Sequence, residues 1–154
     1  MKIIINAGHT VSGAGSGAIG YINESTETRK VVALVADYLK AKGHTVVIDN
    51  VDKARSQSAY LSQVVKTANK TGADLFVSIH FNAGGGKGVE CYTWKGQKVP
   101  SAVGVCAELN KLGFRNRGVK DGSAFYVIKK TTMPAVLVEL GFISNPGDAA
   151  LMNE

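Results

Sequence analysis

Short apolar runs rich in β-branched residues alternate along this chain with longer stretches in which apolar residues return every third or fourth position, the periods of strand and helix. Lys2 to Asn6 contains three consecutive isoleucines and closes on Ala7-Gly8, which predicts a buried first strand and then a loop bearing His9. From Thr10 to Gly20 the chain is rich in Gly, Ser and Ala, too poor in large apolar groups for a core element and suited to bending. Val31, Leu34, Val35, Tyr38 and Leu39 then recur at helical spacing up to Gly43, predicting an amphipathic helix whose first turn lies at or just after Glu24. Thr45 to Asp49 reads as a second strand, and Leu61, Val64, Val65 and Ala68 mark a second helix ending at Gly72. Leu75 to Ile79 is a continuous apolar strand that stops at His80, and Val89 to Trp94 reads as another after the break at Gly84-Gly85-Gly86. Pro100 opens a helix with Ala102, Val105, Cys106 and Leu109 on one face. Phe125 to Ile128 reads as a short strand, and Ala135 to Val138 as a buried one that stops at Glu139.

Strands alternating with helices predict a three-layer α/β sandwich around a largely parallel or mixed sheet. Ligands of such sheets bind beyond the C-terminal ends of the strands. His9, His80 and Glu139 each follow an apolar strand directly, so parallel strands bring all three to one rim.

Composition narrows the picture. A length of 154 residues, 45% of them hydrophobic, suits one compact domain with its own core. Eighteen Lys and Arg against 12 Asp and Glu leave a formal charge of +6, which favours encounter with polyanions. No run of five basic residues forms a nucleic-acid stripe, and no apolar run has the length of a membrane span or a secretory leader. Neither nucleic acid nor membrane is an expected partner. A role outside the cytoplasm then requires release by lysis, another exit route, or a leader lying outside this stretch. Cys91 and Cys106, without CxxC spacing, read as buried free thiols.

Two imidazoles and a carboxylate suffice for a catalytic zinc, which keeps one position open for water. A second carboxylate near that water takes its proton. His9 and His80 supply the nitrogens; Glu139 and Glu24 are the carboxylates to divide between the two tasks. Each residue has a plainer reading. A histidine in a Gly-rich loop is often only solvated, and an acid in the first turn of a helix is accounted for by the macrodipole. Glu27 is as available as Glu24 on spacing alone. Glu139, between Val138 and Leu140, is costly to bury unless paired or bound to a metal. His44, in a helix–strand turn, reads as a surface residue.

The same residues resemble the zinc-dependent N-acetylmuramoyl-L-alanine amidases of bacterial autolysins, sporulation hydrolases and phage endolysins. Asn6-Ala7-Gly8-His9 is similar to that family's first-strand Gly-His motif, and Ser78-Ile79-His80-Phe81-Asn82 to its Ser-Ile-His-x-Asn motif. Met133 to Asn145 is similar to its last catalytic segment, preceded by the family-like Arg117-Gly118-Val119-Lys120 and Phe125-Tyr126-Val127. The resemblance implies a six-stranded sheet, zinc on His9, Glu24 and His80, and Glu139 as the catalytic carboxylate. It thereby selects Glu24 over Glu27. It also implies peptidoglycan as substrate and action at the bacterial cell wall; Asn82, by its place two residues after His80, is a candidate for positioning substrate or a ligand. Two features depart from the family: Thr10 follows His9 where many members have glycine, and the chain stops at Glu154, short of the usual terminal helix. The second reads as a shortened single domain over residues 1–154, either truncated or a natural domain of a longer protein, such as one with a separate wall-binding module. The rival expectations are a zinc peptidase with the same ligand set, a wall-binding domain with a structural metal, and a nucleic-acid module.

Overall fold

The computed structural model describes residues 1–153. In chain order the elements are β1 (Lys2–Ala7), α1 (Glu24–Ala41), β2 (Thr45–Asp49), α2 (Gln57–Thr71), β3 (Leu75–Asn82), β4 (Val89–Thr93), α3 (Pro100–Lys111), β5 (Asn116–Asp121), α4 (Tyr126–Lys130), β6 (Ala135–Phe142) and α5 (Pro146–Met152). The six strands found among the described residues form one sheet in the order β2-β1-β3-β6-β4-β5. β2, β1, β3 and β6 are parallel, whereas β4 runs antiparallel to β6 and carries β5 with it. The predicted mixed α/β sandwich is the architecture observed.

Each face of the sheet has its own core. On one, Val32 and Ala36 of α1 and Ala102 and Cys106 of α3 pack on Ile3, Ile5 and Val138. On the other, Tyr60, Val64 and Ala68 of α2 and Val127 and Ile128 of α4 pack on Ile4, Phe76 and Leu137. Alternate residues of β1 therefore enter opposite cores, so the continuous isoleucine run is that of a strand buried on both faces. Cys91 and Cys106 are free and buried as expected, 3.6 Å apart between their sulfurs. Among the described residues no helix is long and apolar enough to cross a membrane.

Three elements differ from the sequence reading. Phe125 to Ile128 belongs to a helical turn: α4 starts at Tyr126 and the Lys129 N–H donates to the Phe125 carbonyl. A four-residue apolar run does not separate strand from helix, and Val127 and Ile128 are buried in either case. The sixth strand is β5, whose sequence NRGVKD shows no apolar alternation because it lies at the sheet edge. The buried face of α1 only partly coincides with the expected stripe: Val31, Val35 and Leu39 pack partly buried against the core. Leu34 and Tyr38 are 71% and 63% exposed, while Ser25, Thr28, Val32 and Ala36 face the sheet. Thr28 Oγ1 shares its proton between the Gly8 carbonyl at 3.3 Å and the Ser25 carbonyl at 3.2 Å, a polar contact on the face where residues 28, 32 and 36 meet the strands.

A candidate metal centre at the strand ends

β1, β3 and β6 are parallel, so their C-terminal ends share one rim, as the strand pattern predicts. β3 and β6 continue beyond the expected stops, to Asn82 and Phe142. His80 and Glu139 therefore sit within the strands and directly opposite each other, just before a register shift. His9 follows β1 with φ at 68°, a left-handed conformation uncommon for a residue with a side chain. Glu24 opens α1 behind the N-cap Asn23, whose side chain accepts from the Thr26 N–H at 3.1 Å. Glu27 turns to the surface and pairs with Lys30 at 2.7 Å, and His44 lies beside the N-terminal amine.

Candidate ligand atoms of His9, Glu24 and His80 all lie within 4.8 Å of one another, a set that could hold a metal ion. Glu24 Oε1 is 3.1 Å from His9 Nε2 and 3.3 Å from His80 Nδ1. The two rings meet edge to face with centroids 4.9 Å apart. Glu24 is only 3% exposed and also accepts from the Ala18 N–H at 3.0 Å and the Phe81 N–H at 3.2 Å. Burial opposes its ionisation, but the bonds from His80 and His9 outweigh burial and hold its pKa well below the usual carboxylate range. Burial lowers the pKa of His80 despite Glu24; at His9 burial acts in the same direction, but the hydrogen bond to Glu24 prevails and raises it.

The surrounding hydrogen bonds choose which nitrogen of each ring is bare. His9 Nδ1 is 3.1 Å from the Gly15 carbonyl, which can only accept, so Nδ1 carries the proton and the neutral ring leaves Nε2 free. Asn6 Nδ2 donates to the Asp49 carbonyl at 2.8 Å, so Asn6 Oδ1 is the acceptor that takes the Ser78 hydroxyl proton at 3.1 Å. Ser78 Oγ then accepts from His80 Nε2 at 3.0 Å, leaving Nδ1 unprotonated toward Glu24. With both rings neutral, two nitrogen lone pairs and a carboxylate converge, whereas a ring protonated at the facing nitrogen donates to Glu24. The neutral arrangement repels itself unless a cation lies among its members, and the orienting bonds are those that ligating histidines require.

Two glycines make room for this packing. A Cβ on Gly8 would stand 2.4 Å from the His80 ring, and one on Gly17 would stand 2.8 Å from Glu24 Oε2. Glu139 borders the same cleft, a space of about 350 Å³ lined also by His9, Tyr60, Ser78 and His80. Its Oε2 is sealed from solvent and has no hydrogen-bond partner among the described residues. Burial first, then the charges of Glu24 and Glu90, push its pKa up to about 8. Asn82 Nδ2 donates to Glu90 Oε1 at 2.9 Å.

Sequence reasoning missed Asn6, Ser78 and Glu90 as parts of the site. The first two carried a usable signal, because a polar residue inside a continuous apolar strand is costly unless bonded. Glu90 lies in a run too short to show that its face is polar.

Comparison with known proteins places this fold. The family model described as N-acetylmuramoyl-L-alanine amidase matches residues 3–154, and the chain belongs to that family. It is 36% identical over 153 residues to the N-acetylmuramoyl-L-alanine amidase CwlM of Bacillus licheniformis, covering 97% of this chain and 59% of the relative. It is 32% identical over 163 residues to the endolysin of Bacillus phage SPP1, covering 97% of this chain and 58% of that protein. The chain thus spans less than two thirds of the length of either relative. Among solved structures, the catalytic domain of the CD27L endolysin targeting Clostridia difficile superposes with a TM-score of 0.91 at 29% identity, over 98% of this chain and 87% of that one.

Proposed function

We propose that this domain hydrolyses the amide joining N-acetylmuramic acid to L-alanine in peptidoglycan, at the bacterial cell wall, using zinc held by His9, Glu24 and His80. The observation that carries the proposal is the pair of bare imidazole nitrogens turned on one buried carboxylate, with the unpartnered Glu139 oxygen beside them. Family membership supports the choice of bond. Zinc bound there supplies a Lewis acid for the amide carbonyl and makes water acidic enough to be deprotonated near neutral pH.

The rest is the work of the chain. Glu139, enclosed at the cleft wall and ionised where a bound cation offsets the burial that raises its pKa, takes a proton from the attacking water as the new carbon–oxygen bond forms. It returns that proton to the L-alanine nitrogen as the carbon–nitrogen bond breaks, so the products are a muramic carboxylic acid and a free peptide amine. Asn6 and Ser78 keep His80 in its working tautomer, and the Gly15 carbonyl does the same for His9. Asn82 contributes indirectly, by orienting Glu90.

The test is digestion of a cell-wall suspension followed by mass spectrometry. Turbidity is expected to fall, to stop falling with chelator and to resume with added zinc, releasing intact stems with an L-alanine N-terminus. Shortened stems would make the protein a peptidase, and persistent turbidity with zinc present would leave only wall binding.

A further inference from the structure

A row of polar side chains continues along the sheet past the metal cluster. His80 on β3 lies opposite Glu139 on β6, and Glu139 lies opposite Glu90 on β4. Two residues along β4, on the same face, Tyr92 lies opposite Lys120 on β5. Glu90 is 2% exposed and every bond to it comes from a donor. Its Oε1 accepts from Asn82 Nδ2 at 2.9 Å and from the Tyr92 hydroxyl at 2.8 Å; its Oε2 accepts from Arg117 Nε at 2.5 Å and from the Lys120 ammonium. Burial opposes its charge, yet the bonds from Arg117, Lys120 and Tyr92 hold its pKa below the ordinary value.

One carboxylate here answers two cations, so the cluster keeps a net positive charge next to the acidic Glu139. Arg117 uses Nε on Glu90, and its two terminal nitrogens have no hydrogen-bond partner among the described residues. Its guanidinium also lies over the Phe142 ring, 5.1 Å from the centroid. Pinned at Nε and stacked on a ring, it offers its terminal N–H groups in a fixed direction, the fork that grips a carboxylate with two parallel bonds. The Arg117 and Lys120 side chains are 28% and 36% exposed, so both remain within reach of a ligand.

We propose that Arg117 and Lys120, held in place by Glu90, form a carboxylate subsite for the peptide side of the scissile amide. This rests on the amidase reading above. In that bond the sugar's own carboxyl is consumed in the amide, so free carboxylates occur only on the peptide. Both cations converge on Glu90, two strands from His80, or about 10 Å. An α-carboxylate on the residue after L-alanine lies about two extended residues, about 7 Å, from the scissile carbonyl. A hydrogen bond of about 3 Å from carboxylate to cation makes up the difference, so in this proposal the peptide stem runs over β6 and β4 toward β5, and the glycan leaves on the opposite side.

Two synthetic muramyl peptides test this, identical except for an α-carboxylate or an α-carboxamide on the residue after L-alanine, with every other carboxyl capped as amide. The zinc-loaded wild type is expected to favour the carboxylate in kcat/KM by about tenfold or more, as a charge-assisted pair implies. In Arg117→Gln and Lys120→Gln that ratio is expected to fall toward one. Because the wild-type ratio needs no variant, misfolding of either variant leaves the test intact. Equal cleavage of both substrates by the wild type, or a ratio that survives in both variants, overturns the subsite alone. Cleavage of neither overturns the amidase reading and the subsite with it.

Discussion

At the scale of single residues, the candidate centre depends on groups that never touch the metal position. Ser78 converts the acceptor at Asn6 into a fixed tautomer of His80, 3.1 Å and 3.0 Å away along one chain of bonds. Loss of such an orienting partner typically weakens metal binding by about 10- to 100-fold. Ser78→Ala is therefore expected to weaken zinc affinity by that amount in a chelator competition. Glu139→Gln is expected to bind zinc as the wild type does and to lose hydrolysis by about 100-fold or more. Equal zinc affinity in Ser78→Ala, or full turnover by Glu139→Gln, would contradict the roles given to them. His9, His80 and Glu139 were legible as candidates because a titratable group directly after an apolar strand has little reason to be there. Glu24 was not separable from Glu27 on spacing, since both stand in the first turn of α1; only the fold turns Glu24 inward and Glu27 toward Lys30.

At the scale of the element, α1 shows how far periodicity reaches. Residues 31, 34, 35, 38 and 39 have helical spacing, but so do 25, 28, 32 and 36, about a hundred degrees round the same helix. The second stripe is the more deeply buried, because Thr28 reaches the Gly8 carbonyl just past β1 and small residues let the helix approach the sheet, while Val31, Val35 and Leu39 of the first pack partly buried beside it. Leu34→Glu is accordingly expected to change stability by no more than about 0.5 kcal/mol. Val32→Ala, at a fully buried position, is expected to cost about 2 kcal/mol. Urea denaturation of the two variants decides this, and a reversed order would restore the stripe suggested by size. β5 was illegible for a related reason: a polar edge strand is identified by its partner β4, and its own residues carry no alternating pattern.

At the scale of the whole molecule, the sheet gathers acidic groups at one end, and not all of them belong to the candidate metal cluster. Asp49, at the end of β2, is 8% exposed, and its Oδ2 has no hydrogen-bond partner among the described residues. Burial pushes its pKa up from 3.8 to about 6. A carboxyl whose folded pKa is raised contributes stability that is complete below its unfolded pKa and is lost as pH rises through its folded one. The wild type is thus expected to lose up to about 3 kcal/mol relative to Asp49→Asn between about pH 4 and pH 6. Urea midpoints across that window measure the difference, and parallel curves would show that Asp49 does not titrate there. Strand runs, most helices and the three strand-end residues follow from the sequence alone, because burial periodicity and the cost of stranded polar groups are local properties. The most deeply buried face of α1, the edge pairing of β5, the inward turn of Glu24 and the row from His80 to Lys120 were decided only by tertiary structure. Each depends on which surface or strand meets which, and that is fixed by contacts between residues far apart in the chain.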